Sequence, residues 1–153
     1  MFTVSANRVS ANTPEFINER IKAATEAKIS CTAKGGPAAI DRRLVELDLE
    51  WDIERCLETM APSLSLFGLG MGIIGSKKWL IVPLAVQAFF LEHALQGWCP
   101  PLPMLRYLGV RTADEINEER NALKALRGDY KNVPRKGRDA ESIQKAVAAA
   151  SIS

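Results

Sequence analysis

Residues 60–98 read MAPSLSLFGLGMGIIGSKKWLIVPLAVQAFFLEHALQGW, and this stretch decides the fold of the chain. Two apolar runs are separated by a short polar break that consists of Ser76, Lys77 and Lys78. We predict that each run forms a helix and that the two helices form a hairpin in a membrane. The predicted fold is therefore all-α, with a two-helix membrane hairpin flanked by amphipathic helices.

The first apolar run carries no charge over the eighteen residues from Thr59 to Ser76, which just exceeds the ~17 residues that a bilayer span needs. Glycine costs about 1 kcal/mol against alanine in a soluble helix, whereas in lipid it allows a partner helix to approach closely. Small residues recur at helical spacing and form one stripe: Ala61, Ser65, Gly68, Gly72 and Gly75. We predict that this small-residue stripe packs against the second helix.

The second run, Trp79 to Leu91, is too short to cross a hydrocarbon core of about 30 Å unless its helix continues to near Trp98. We expect Glu92 to face the helix partner, because a carboxylate that faces lipid is costly. Glu92 and His93 could form a proton- or ion-handling pair, but adjacent residues on a helix point about 100° apart and do not face each other, so simple packing polarity is the plainer interpretation. The predicted complement of the small-residue stripe is Ala85, Ala88, Glu92 and Gln96.

We divide the chain into three parts on its pattern of apolar and polar residues. Residues 1–39 are an N-terminal tail and amphipathic helix, 40–130 are the hairpin domain with flanking helices, and 131–153 are a basic C-terminal tail. The tail has no pattern as far as Asn12, and we expect a helix from Thr13 to about Ala33. A short Ala-rich helix can form near the C-terminus.

The segment before the hairpin shows both a strand-like and a helix-like pattern of apolar residues. Val45 to Glu54 alternates apolar and acidic residues like a strand, but acidic residues are poor strand formers. Apolar residues there also keep helical spacing: Ile40, Leu44, Leu47 and Trp51. We predict a helix that continues directly into the first apolar run. GWCPPLP at 97–103 should be extended because of its three prolines, and a helix should resume from Val110 to Gly128.

The composition argues against several classes of protein. The 20 basic and 18 acidic residues give a net charge of +2, which is too small to indicate nucleic-acid binding. The three cysteines are scattered, as is typical of a reducing compartment. With one histidine we expect no metal site and no other cofactor. The N-terminus has no long apolar segment, so we expect no signal peptide.

We find no catalytic constellation and predict a protein that is not an enzyme. Gly70, Gly72 and Gly75 match the dinucleotide motif G-x-G-x-x-G, but the strand and helix that the motif requires are absent from the pattern. Cys99 is a candidate reactive thiol that could carry a persulfide or sense an oxidant, for which it would need a lowered pKa. The plainer interpretation of Cys99 is a small buried thiol at a turn.

Three segments together resemble the YgaP-like transmembrane domain family: IDRRLVELDLEWDIERCLE at 40–58, the hairpin ending in GWCPPLP, and GVRTADEINEERNALKALRGDY at 109–130. The most specific part of the resemblance is the Gly-x-Cys-Pro that ends the hairpin. The resemblance implies a small two-helix membrane module that often self-associates and is also found fused to rhodanese sulfurtransferase domains. This chain has no rhodanese domain or cysteine loop of that type, and the family supplies no catalytic residues to carry over.

The basic residues predict how the hairpin is oriented. The loop between the runs holds Lys77 and Lys78, and more basic residues flank the runs: Arg42, Arg43, Arg55, Arg106 and Arg111. By the positive-inside rule we expect both termini in the cytoplasm.

We therefore expect an inner (cytoplasmic) membrane protein of bacterial type. Its partners would be the lipid bilayer and either further copies of the chain or another membrane protein. It would act as a scaffold or accessory subunit through self-association or docking to a membrane complex. One alternative is a sulfur-relay or redox-thiol protein that uses Cys99. A further alternative is a soluble all-α protein whose hairpin is its buried core.

Overall fold

The computed structural model describes residues 7–134 and 140–151, and these residues form helices with no β-strand among them. The prediction of an all-α fold is confirmed. A 3₁₀ helix, Lys77–Leu80, lies between the fourth and fifth α-helices. The α-helices are α1 Arg8–Ala11, α2 Glu15–Lys34, α3 Pro37–Leu49, α4 Ile53–Ile74, α5 Ile81–Gln96, α6 Leu102–Tyr107, α7 Ala113–Arg127 and α8 Ala140–Ala150.

Helices α3 and α4 are separate, so the predicted continuous helix into the first apolar run is wrong. Glu50, which follows the last residue of α3, has an extended backbone with φ −69° and ψ 131°. Asp52 is the N-cap of α4, and its carboxylate accepts a hydrogen bond from the backbone N–H of Arg55 at 2.7 Å. An aspartate in this position satisfies one of the otherwise unpaired N–H groups of the first turn, which favours a new helix start.

The expectation of a patternless tail as far as Asn12 is wrong for residues 8–11, which form α1. Val9 lies in this short helix, and its side chain is buried in a hydrophobic core. One apolar residue in a short segment is too weak a pattern to predict a helix. Residues 1–6 of the same tail lie outside the described part of the chain.

The proline-rich segment 97–103 is only partly as predicted, because α6 begins inside it at Leu102. Pro103 sits in the first turn of α6, where its missing N–H leaves no helical hydrogen bond unmade. Gly97 ends α5 in the left-handed region at φ +79°, and its N–H donates to the carbonyl of His93 at 2.7 Å. The chain therefore turns sharply at Gly97 instead of leaving the helix in an extended conformation.

The chain divides into two compact units. Unit 1 comprises Met1–Ile21 and Trp51–Ala113, and unit 2 comprises Lys22–Glu50 and Asp114–Ser153. The core of unit 1 consists of Val9, Ile53, Leu57, Cys99, Leu102 and Leu105. The core of unit 2 consists of Ile40, Leu44, Leu47, Ile116 and Leu123. The sequence-based boundaries at 39/40 and 130/131 remain predictions.

Two helical stretches are long and apolar enough, by length and composition, to cross a membrane: Pro37–Ile74 and Lys77–Gln96. The first comprises α3 and α4, and the second comprises the 3₁₀ helix and α5. In the most apolar eighteen residues of each stretch, 22% of the first and 6% of the second are buried. Ile73 and Ile74 at the end of α4 are each 82% exposed. The apolar surfaces of these helices are thus mostly uncovered by the rest of the protein.

Candidate functional site

Helix α4 packs against the 3₁₀ helix and α5 through two glycines of the small-residue stripe. A Cβ atom added at Gly68 would lie 2.7 Å from Cδ of Pro83 and 2.9 Å from Cβ of Val82. One added at Gly72 would lie 2.6 Å from Cδ2 of Leu80. All three distances are shorter than carbon atoms tolerate. At Gly68 the neighbours are a proline ring and a Cβ atom, so this position needs glycine for the helices to approach as they do, whereas at Gly72 the end of the Leu80 side chain could turn aside.

A polar contact and an aromatic contact also join α4 to its partner. The side-chain amide of Gln87 donates to the hydroxyl of Ser65 at 3.0 Å, and Ser65 is buried. Phe67 and Trp79 pack edge to face with ring centroids 5.8 Å apart. Gln87 did not stand out in the sequence, because it falls between apolar residues and belongs to none of the predicted stripes.

The structure brings only part of the predicted α5 stripe to α4. Ala85 is half-buried and lines a cavity, whereas Ala88 and Gln96 are exposed. Glu92 is half-buried, and among the described residues it makes no hydrogen bond or ion pair. The residues of α5 that meet the glycine positions are Val82 and Pro83.

The two ends of the small-residue stripe differ in their surroundings. Ala61 is buried and lines the cavity described below. Gly75 is exposed and follows the last residue of α4, and its N–H donates to the carbonyl of Met71 at 2.9 Å. The structure therefore uses Gly75 to end the helix, while Gly68 and Gly72 contact the partner.

A buried polar cluster lies in unit 1, where α1, α4 and α5 meet. His93 is 1% exposed, and its Nε2 lies 3.1 Å from Oε2 of Glu54. Arg8 donates to the other oxygen of Glu54 at 2.7 Å. Nδ1 of His93 is buried and has no hydrogen-bond partner among the described residues. The sequence suggested a pair with the neighbouring Glu92, but the carboxylate that binds His93 is Glu54, which is distant in sequence.

Cys99 lies beside this cluster. It is 3% exposed, and it lies close enough to the His93 imidazole to interact with it electrostatically. A Cβ atom at Gly97 would lie 2.5 Å from the backbone carbonyl of Arg8. Only glycine can therefore occupy this turn, both for its positive φ and because α1 passes so close. The turn places Cys99 next to the histidine six residues before it.

The cavity of unit 1 has a volume of about 420 Å³, which is within the range of ~300–1,000 Å³ typical of ligand pockets. It is bounded by α4, by α5 and by the turn that follows α5. On α5 its lining extends from Ile81 to Phe90, which corresponds to about 14 Å at ~1.5 Å per residue. Among the lining residues are Leu57, Leu64, Phe89, Cys99 and Pro101.

Ion pairs characterise unit 2 and link α3 to α7. Glu119 on α7 is 0% exposed, and its carboxylate accepts from Nε of Arg43 at 2.7 Å and from Nη2 at 3.2 Å. Arg120 pairs with Asp48 at 2.7 Å. Arg127 at the end of α7 pairs with Asp41 on α3 at 2.6 Å. Its guanidinium also contacts Asp129 and lowers the pKa of that carboxyl below the usual range. These contacts hold the polar faces of the two helices together.

The described part of the chain is thus all-helical, with two largely uncovered apolar stretches, a buried histidine paired with a partly exposed glutamate, and an apolar cavity. Across the described ranges, no group of three or more His, Cys, Asp or Glu side chains could hold a metal ion. Comparison with family models, curated proteins and solved structures found no match to this chain. The likeness to the YgaP-like family therefore rests on the sequence segments quoted above.

Proposed function

We propose that this chain is an inner-membrane protein of bacterial type whose α4 and α5 form a hairpin in the bilayer. The observation that carries the proposal is the exposure of Lys77–Gln96, of whose most apolar part only 6% is buried. Leaving apolar surface in water costs about 25 cal/mol per Å². An uncovered patch of this kind is typical of a surface that meets lipid or a partner.

The placement of polar groups supports a hairpin of this kind. Lys77 and Lys78 are exposed in the connection between the two apolar helices. At the opposite end of the pair lie Glu54 and His93. Trp79 near one end and Trp98 near the other are both partly exposed, as interface aromatics commonly are. Between these ends, the uncharged part of α4 presents mainly apolar side chains.

The proposed role is that of a non-enzymatic scaffold or accessory subunit, which acts by self-association or by docking to a membrane complex. Support comes from apolar side chains that stay exposed outside the two proposed membrane helices. Val45 and Leu49 on α3 and Leu126 on α7 are examples in unit 2. Such residues on otherwise polar helices are suited to a contact with another protein.

The membrane proposal is tested by extraction of membranes with alkaline carbonate. We expect the protein to stay with the membrane and to need detergent for release. Leu84→Arg/Ala88→Arg should reduce the membrane-bound fraction, because each arginine near a helix centre costs about 2.5–3.5 kcal/mol on insertion scales. Leu108→Arg is the matched control, since Leu108 is also exposed but lies outside both apolar stretches. Release of the unaltered protein by carbonate without detergent would instead favour the soluble alternative.

The orientation is tested with single cysteines in a chain whose three native cysteines are replaced by alanine. We expect Ser76→Cys to react with a membrane-impermeant maleimide in spheroplasts, because the loop would face the periplasm. Asn132→Cys, which is exposed in unit 2, should react only after the membrane is permeabilised. Labelling in the reverse order would show that the termini are outside the cytoplasm.

The sulfur-relay alternative depends on Cys99, and the surroundings of this residue suit it less well. A persulfide anion is disfavoured beside a cavity whose lining is apolar. The thiol is buried and its neighbouring cavity is lined by aliphatic, aromatic and proline side chains. A scaffold role should survive Cys99→Ser, whereas sulfur transfer should not.

A further inference from the structure

We propose that Cys99 is an acyl-acceptor site: its thiol takes an acyl group from an acyl thioester, and the cavity between α4 and α5 holds the hydrocarbon chain. The inference concerns unit 1 alone and goes beyond the scaffold role. It does not depend on whether the two helices span a bilayer. Three observations carry it, namely the contact of the buried His93 with Glu54, the Nδ1 atom of His93 that has no hydrogen-bond partner among the described residues, and the extent and lining of the cavity.

The first step is the activation of the thiol. Cysteine reacts as the thiolate, which an adjacent histidine generates when a third group orients the ring. Glu54 holds His93 through Nε2 at 3.1 Å, and Arg8 fixes Glu54 at 2.7 Å. A ring whose Nε2–H donates to the carboxylate has Nδ1 available as the proton acceptor. Nδ1 is buried without a hydrogen-bond partner among the described residues, and Cys99 lies close enough to the ring to interact with it electrostatically.

The second step is the choice of substrate. Cys99 is nearly inaccessible to bulk water, but it lines one end of the cavity. The opposite end is lined by Leu64 on α4 and Ile81 on α5, so the cavity extends away from the thiol between the two helices. An unbranched hydrocarbon chain fits a long apolar channel of this kind, and its reactive carbonyl would lie at the thiol end. Cysteines next to membrane helices are also the usual sites of reversible S-acylation.

The reaction is an exchange of thioesters and needs no oxidant or reductant. The Cys99 thiol gives its proton to Nδ1 of His93, and its sulfur attacks the carbonyl carbon of the acyl thioester. A new carbon–sulfur bond forms to Cys99, and the carbon–sulfur bond to the leaving thiol breaks. The leaving thiolate then takes the proton from His93, so that the products are the S-acylated protein and a free thiol.

The test uses the full chain in detergent with alkyne-tagged palmitoyl-coenzyme A as the probe. Cys31→Ser/Cys56→Ser leaves Cys99 as the single cysteine, and Cys56→Ser/Cys99→Ser leaves the exposed Cys31 as the matched control. We expect a hydroxylamine-sensitive adduct that forms on Cys99 at least ten times faster than on Cys31, although Cys31 is the more accessible thiol. His93→Asn should slow acylation of Cys99 by about 100-fold or more, as loss of a general base commonly does.

A second variant tests the cavity separately from the thiol. Ala85→Phe places a ring in the cavity lining, so palmitoyl transfer should fall at least ten-fold while transfer from acetyl-coenzyme A is retained. Equal loss of both transfers would overturn the assignment of the cavity to the chain. Acylation of Cys31 as fast as Cys99, no adduct on Cys99, or a rate unchanged by His93→Asn would each overturn the proposal. None of these outcomes depends on the carbonate extraction, so the acyl-acceptor proposal and the membrane proposal can fail independently.

Discussion

Replacement of Arg43 by methionine is expected to lower the free energy of unfolding of unit 2 by about 3–5 kcal/mol. Arg43 donates to both oxygens of Glu119, and Glu119 is fully buried on α7. Methionine keeps much of the side-chain length but takes a positive charge away from a buried carboxylate. Removal of one partner from such a pair costs far more than an exposed ion pair contributes. Urea unfolding followed by far-ultraviolet circular dichroism measures the change.

The control for this experiment is Arg42→Met at the neighbouring position. Arg42 is exposed on the same helix, so its replacement should alter the free energy of unfolding by no more than about 0.5 kcal/mol. Similar losses for the two variants would mean that the Arg43–Glu119 pair contributes nothing specific. Arg43→Lys should recover only part of the stability, because an ammonium group cannot reproduce the two-pronged contact.

Replacement of Gly68 by leucine should separate α4 from α5 and cost about 1–3 kcal/mol or more through overpacking. The first added carbon already lies 2.7 Å from the proline ring of Pro83 and 2.9 Å from Cβ of Val82. Unfolding of the detergent-solubilised protein by sodium dodecyl sulfate gives the measurement. In a protein that also carries Trp51→Phe and Trp98→Phe, the fluorescence of Trp79 reports on this contact, because its ring packs on Phe67.

Gly70 is the matched control on the same helix. A Cβ atom at Gly70 meets no atom within 4 Å, so Gly70→Leu should be neutral or slightly stabilising through helix propensity. The two substitutions add the same atoms two residues apart and differ only in what those atoms meet. If both variants lost stability equally, the close approach of α5 at Gly68 would not be a feature of the folded protein.

Local pattern was enough to predict the longer helices, but not the short helices α1 and α6. Apolar spacing and the Gly-Gly-Pro segment placed α2 within two residues of its ends at Glu15 and Lys34, and the helix resuming near Val110 corresponds to α7. The break before α4 was missed because Asp52 was counted as one of several acidic residues in an alternating run. Its role as an N-cap depends on the backbone turning there, which the alternating pattern concealed.

The site was harder to predict because it is built from residues far apart in the chain. The small-residue stripe includes Gly68 and Gly72, because their spacing of four is a local property of one helix. Which face of α5 lies against them depends on the 3₁₀ helix Lys77–Leu80, whose tighter turn sets the rotation of α5. The partnership of His93 with Glu54 joins positions 39 residues apart, and no local spacing indicates it.

The close passage of α1 over Gly97 gives the N-terminal segment a function that its length does not suggest. Residues 8–11 lie against one side of the polar cluster of Glu54 and His93, and the positively charged Arg8 holds Glu54 in place. A shortened chain that starts after α1 would retain both apolar helices and Cys99. It would nevertheless remove the guanidinium that fixes Glu54 and so loosen the carboxylate that orients the imidazole of His93. Proteolytic trimming at this end would therefore change the chemistry of the thiol without altering any residue that touches it.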